Sequence, residues 1–212
     1  MFTNRTHAAG LLAERLAGYR TSQPLVIAIP RGAVPMAQLI ASELGGDLDV
    51  VLVRKLGAPF QSELAIGAID ETGRVTLNDF AGELGLDRSY VDDLARAQLA
   101  VLRERRRLYT DRPPREVADR TVIVVDDGLA TGATMVTALT ALRAQKPAKL
   151  VCAVPVAPPE TLNRVVRYAD QVVCLIAPLG FHAVGQFYRD FPQVEDDEVI
   201  AILRARSQEG AA

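Results

Sequence analysis

The 212-residue chain has no tryptophan, two cysteines, two histidines and only three lysines, Lys55, Lys146 and Lys149. Cys152 and Cys174 each sit inside an apolar run, and no CxxC pair or Cys/His cluster suggests zinc. Both read as buried thiols acting as small hydrophobes. No apolar run reaches the roughly 20 residues of a membrane-spanning helix. The N-terminus lacks the basic start and continuous apolar stretch of a signal peptide, so a reducing cytoplasm is expected and a membrane is not. The formal net charge is −2, with no basic excess of the kind that marks nucleic-acid binders. The arginine cluster Arg103, Arg105, Arg106 and Arg107 reads as a solvated helix end. Lysine is scarce enough that Lys55 stands out.

What is present is an ordinary globular balance, 49% hydrophobic and 24% charged residues, in a chain long enough to bury a core. Unbroken β-branched runs predict strands at Leu25–Ile29, Asp49–Val53, Thr121–Val125, Leu150–Pro155 and Gln171–Ile176. Helical spacing appears at His7–Leu16, Val34–Leu44, Asp87–Tyr109, Thr134–Ala144, Pro159–Arg167 and Glu195–Arg206. Asp87 or Ser89 is placed to cap the long third helix. Residues 57–63 read as loop, and Leu64–Ile69 with Arg74–Leu77 as a hairpin around Asp70-Glu71-Thr72-Gly73. Alternating strands and helices predict an α/β fold: a mainly parallel five-stranded sheet flanked by helices.

One segment concentrates chemistry. The strand Val122-Ile123-Val124-Val125 ends in Asp126-Asp127, followed by Gly128-Leu129-Ala130-Thr131-Gly132-Ala133-Thr134 and a helix. Ligands of open α/β sheets bind at the carboxyl ends of strands. A helix N-terminus offers bare amides and positive dipole character to a phosphate. Gly132, Ala130 and Ala133 let backbone approach closely, and Thr131 and Thr134 add hydroxyls. The paired carboxylates suit sugar hydroxyls or magnesium. The Walker pattern GxxxxGK[ST] is absent.

This segment resembles the 5-phosphoribosyl-1-diphosphate (PRPP) motif of type I phosphoribosyltransferases, and its Val-Asp-Asp-x-Leu-Ala-Thr-Gly-x-Thr run is most similar to that of adenine phosphoribosyltransferases. The resemblance implies that Asp126 and Asp127 meet the ribose 2- and 3-hydroxyls and that residues 130 to 134 hold the 5-phosphate. It implies that Arg31 and Gly32, in Pro30-Arg31-Gly32, and the cations Arg54 and Lys55 bind pyrophosphate. Catalytic roles would fall to Lys55, Arg54 and Asp127. A Mg2+ ion would meet Asp126 and Asp127 indirectly, through PRPP and water. Residues 57–77 resemble the family's flexible catalytic loop, and residues 177–194 its acceptor-binding hood. In the hood, Phe181 or His182 would stack on the base.

The expected organisation is one domain over 1–212, with its core at about 24–176. The implied partners are PRPP and a nitrogenous acceptor such as a nucleobase, and a homodimer is left open. A non-catalytic PRPP sensor is the alternative. Ala130 stands where 6-oxopurine enzymes carry the Asp that serves as base, which leaves the general acid or base unassigned.

Overall fold

The computed structural model describes residues 1–77, 81, 84 and 87–209. In chain order the elements are α1 (Arg5–Arg15), β1 (Leu25–Ala28), α2 (Val34–Leu44), β2 (Asp47–Val50), β3 (Val53–Ala58), β4 (Gln61–Asp70), β5 (Val75–Leu77), α3 (Arg88–Tyr109), β6 (Thr121–Val125), α4 (Ala133–Arg143), β7 (Lys149–Val156), α5 (Pro159–Val165), β8 (Gln171–Ile176) and α6 (Asp196–Glu209). Single 3-10 turns span Ala17–Ser22 and Val184–Phe187.

The expected five-stranded sheet is there, in the order β2-β1-β6-β7-β8 with every pairing parallel. Its central strands β1, β6 and β7 are mainly apolar and buried because both faces are covered. Val26, Ala28, Ile123, Val125, Val151 and Ala153 pack toward α1, α2 and α6. Their alternating neighbours Leu25, Ile27, Val122, Val124, Leu150 and Cys152 pack toward α4 and α5. Full burial of each Val, Leu or Ile among them stabilises by about 1.5–3 kcal/mol. Cys152 is buried and Cys174 half-buried, and both are free thiols. Burial pushes both thiols above their ordinary pKa.

Local signals set the helix ends. Asn4 caps α1 by accepting the His7 amide at 3.0 Å, and Asp87 caps α3 by accepting the Ser89 amide at 3.0 Å. Gly45 closes α2 at φ 64°, a left-handed conformation that glycine adopts without strain. Among the described residues no helix is long and apolar enough to cross a membrane.

The segment after β2 departs from expectation. The second strand of the main sheet ends at Val50, and Val53–Ala58 starts a separate antiparallel sheet, β3-β4-β5. Residues 57–63, expected as loop, fall largely within β3 and β4. Gly57 and Pro59 suggested a break, but Gly57 sits at a register shift in the β3–β4 ladder, a bulge in a continuing strand. The expected hairpin is present as β4–β5. Arg54 and Lys55 therefore lie within β3 rather than at the carboxyl end of a main-sheet strand.

The arginine cluster needs a second correction. Arg106 is 7% exposed, not solvated. Its guanidinium donates to Asp49 at 2.6 Å, to the Val50 carbonyl at 2.9 Å and to both oxygens of Glu71. This cluster ties α3 to β2 and to the β4–β5 turn.

Candidate functional site

The sheet order reverses between β1 and β6. From β1 the chain passes through α2 to β2 on one side, and from β6 it passes through α4 to β7 on the other. At such a switch point the loops leaving neighbouring strands diverge and open a crevice. Ala28 lies level with Val125, so the segments Pro30–Gly32 and Asp126–Thr134 emerge side by side.

Their contact is intimate. A β-carbon at Gly32 would fall 2.0 Å from an Asp127 oxygen, so only glycine lets the two segments meet this way. The Pro30–Arg31 peptide bond is cis. The same Asp127 oxygen accepts two hydrogen bonds from Arg5 of α1, at 3.0 and 2.8 Å. Arg5 also donates to the Pro192 carbonyl at 2.6 Å and lies 3.8 Å from the Phe191 ring centroid. The Tyr188 hydroxyl donates to the Asp127 carbonyl at 2.7 Å. The C-terminal segment is thereby docked on the loop that the sequence singled out.

The loop is held from beneath. The Leu129 side chain is buried, and its amide donates to the Val156 carbonyl at 2.9 Å. The Thr161 hydroxyl donates to the Ala130 carbonyl at 2.7 Å. Gly132 caps α4 at φ 70°, where a β-carbon would press on Thr161. Gly128 packs so tightly on Val184 that a β-carbon would fall 2.5 Å from it. Among the described residues the amides of Ala130, Thr131, Gly132 and Thr134 have no backbone acceptor. Thr131, Ala133 and Thr134 are exposed. These amides lie at the start of an 11-residue helix, where bare N–H groups and the helix dipole favour an anion.

Burial pushes both carboxylates above their ordinary pKa. For Asp126 the neighbouring Asp127 charge adds to the rise, while for Asp127 the Arg5 guanidinium opposes it. Asp126 accepts the Asp127 amide at 2.9 Å. Two largely buried acids thus lie beside open backbone amides at a helix start.

The family model that matches this chain, over residues 4–192, is the phosphoribosyl transferase domain. The chain belongs to that family. As a phosphoribosyl transferase domain it is 46% identical, over 96% of its own length, to a Mycobacterium tuberculosis protein provisionally named a phosphoribosyl transferase. It spans 46% of that relative's length. A uracil phosphoribosyltransferase of Mycoplasma genitalium is 26% identical over 76% of this chain and 69% of its own. Among solved structures, TT1426 from Thermus thermophilus superposes with a TM-score of 0.88 at 46% identity, covering 95% of this chain and 97% of that one.

The remaining residues singled out by sequence distribute unevenly around this phosphoribosyl transferase cleft. Gly32 joins the loop directly. The Arg31 side chain turns to the start of α6, 3.3 Å from Glu195 and 3.8 Å from Asp196. Arg54 borders a small cleft of about 90 Å3 with Pro30, Arg105 and Thr134. With Lys55 it also lines a larger one of about 360 Å3 against Tyr90, Leu94 and Gln98 of α3. Phe181 stacks on Phe187 with centroids 5.3 Å apart. His182 is exposed, and its amide donates to Gln186. Among the described residues no three His, Cys, Asp or Glu side chains form a metal cage.

Sequence reading missed Arg5, Tyr188 and Thr161. Arg5 and Asp127 are 122 positions apart, and nothing local marks one arginine among many as the partner. Tyr188 and Phe191 carried a visible signal, the aromatic concentration near the C-terminus.

Proposed function

We propose that this chain transfers the 5-phosphoribosyl group from PRPP to a nitrogenous acceptor such as a nucleobase, releasing pyrophosphate. The observation that carries this reading is the contact between Gly32 and Asp127. It supports one crevice in which open amides, two acids and the Pro30–Gly32 segment face the same ligand. The amides of Ala130, Thr131, Gly132 and Thr134 and the Thr131 and Thr134 hydroxyls would hold the 5-phosphate. Asp126 and Asp127 would accept the ribose hydroxyls. Arg5, by fixing the Asp127 carboxylate, would keep the sugar in one orientation, which lowers the entropic part of the barrier.

Bond breaking at C1 develops oxocarbenium character on the ribose and negative charge on the departing pyrophosphate. Arg54 and Lys55, both exposed on β3, would stabilise that departing charge. The donor set suits magnesium: two adjacent carboxylates supply hard oxygen ligands, and an ion that keeps water and substrate oxygens needs no protein cage. Bound there, the ion would neutralise charge on the leaving group. Phe181, His182 and the rest of 177–194 would receive the acceptor, since Val184 and Tyr188 dock this segment on the loop. Two free thiols suit a reducing cytoplasm.

A panel of nucleobases and amines, incubated with PRPP and magnesium and read by pyrophosphate release, tests the proposal. Turnover with at least one acceptor is expected. PRPP binding without turnover on any acceptor would favour the sensor reading instead.

A further inference from the structure

Two arginines beside the crevice share one acid. Arg31, on the segment after β1, lies 3.8 Å from Asp196 and 3.3 Å from Glu195. Arg105, on α3, lies 3.7 Å from Asp196. The Tyr109 hydroxyl donates to the same Asp196 carboxylate at 2.7 Å and accepts from Arg105 at 3.2 Å. Tyr109 is fully buried, so it fixes the acid at the start of α6. The guanidiniums are looser on Asp196: both separations exceed hydrogen-bond length, Arg31 instead donates to the exposed Glu195 at 3.3 Å, and Arg31 and Arg105 keep 29% and 44% of their side chains exposed. Such ion pairs contribute little and exchange readily.

Arg105 also borders the small cleft that contains Pro30, Arg54 and Thr134. That cleft joins the phosphate-cradle helix to the segment after β1. Arg105 thus stands at its rim beside Arg54, next to the segment that carries Arg31, and the acid shared by Arg31 and Arg105 lies on a third element.

We propose that Glu195 and Asp196 act as an internal counter-anion, holding Arg31 and Arg105 until a diphosphate displaces them, and that Arg105 is a diphosphate-binding residue. The inference rests on the PRPP reading of the crevice. A diphosphate carries more charge than a carboxylate and offers bidentate oxygens to each guanidinium, so it wins the arginines when present. When it leaves, the acids take them back. The affinity for pyrophosphate is then set partly by α6, an element outside the crevice.

Calorimetric titration in magnesium, with inorganic pyrophosphate and ribose 5-phosphate as separate probes, tests this. Arg105→Ala is expected to weaken pyrophosphate about tenfold, the loss of one charged hydrogen-bonding partner, with ribose 5-phosphate binding unchanged. Arg105→Lys should recover part of the loss. Asp196→Asn should have the opposite sign, tightening pyrophosphate about threefold as a half-exposed ion-pair competitor is removed. Unchanged ribose 5-phosphate binding also certifies that each variant is folded. Pyrophosphate affinity within twofold of wild type in Arg105→Ala, or a weakening in Asp196→Asn, would overturn the inference and leave the crevice reading standing. Wild-type protein that binds neither probe would overturn both.

Discussion

Among the described residues, the clusters around Arg106 and Arg5 each join acids to an arginine, and they differ in what they leave open. Around Arg106, Asp49 and Glu71 accept from the guanidinium, and the second Asp49 oxygen takes the Arg115 amide at 2.8 Å. Burial disfavours the Arg106 charge, but Glu71 and Asp49 more than offset it and raise its pKa. Around Arg5, the guanidinium meets one oxygen of Asp127, while the amides of Ala130, Thr131, Gly132 and Thr134 beyond it have no backbone acceptor among the described residues. Burial and strong charge are common to both. Unused hydrogen-bonding capacity at a strand end separates a ligand site from a structural tie.

The comparison can be broken most forcefully at Arg106. Arg106→Met should cost about 3–5 kcal/mol, because it strands two buried carboxylates. Urea unfolding measures it. A cost under about 1 kcal/mol would mean that the cluster is not structural, and the contrast with Arg5 would dissolve. Gly32→Ala should be next. Its β-carbon needs the space of the Asp127 carboxylate, and displacing that group should cost about 1–3 kcal/mol, read mainly as weaker PRPP binding. Wild-type affinity would show that the two segments need not touch.

The smallest effect should come from Asp126→Asn, and it should be a gain. The folded-state pKa of Asp126 lies above its unfolded value, so folding disfavours the charged form. Its contribution to stability is complete below the ordinary value of 3.8 and is lost as pH rises through the folded pKa. The asparagine variant should therefore be more stable than wild type near neutral pH, by about 0.5–2 kcal/mol, in the manner of a site that trades stability for function. The gain should vanish below the ordinary carboxylate range. Urea midpoints across pH check this, and a loss of stability at neutral pH would place Asp126 with Asp49 as a structural acid.

Much of this was legible in sequence, for reasons that differ by region. The parallel strands announce themselves because both faces are buried and the runs are unbroken, as in Val122–Val125. The loop at 126 to 134 stands out in sequence because paired acids followed by Thr-Gly-x-Thr do not suit a core. The β3–β5 sheet was half legible: its β4–β5 hairpin has an ordinary Gly turn, but Gly57 marks a bulge that sequence alone reads as a break. Arg106 was misread because a dense arginine run does not say which member faces inward. The Arg5–Asp127 pair was invisible because only the fold brings residues so distant together.

The central claim is that the paired acids and open amides of residues 126 to 134 grip one phosphorylated pentose. Calorimetric titration of PRPP with magnesium into wild type and into the Asp126→Asn, Asp127→Asn double variant tests it most directly. Affinity at least about tenfold weaker in a variant with a native circular dichroism spectrum is the predicted result, since each charged hydrogen bond lost costs about 1.5–3 kcal/mol. Equal affinity in the two proteins would contradict it.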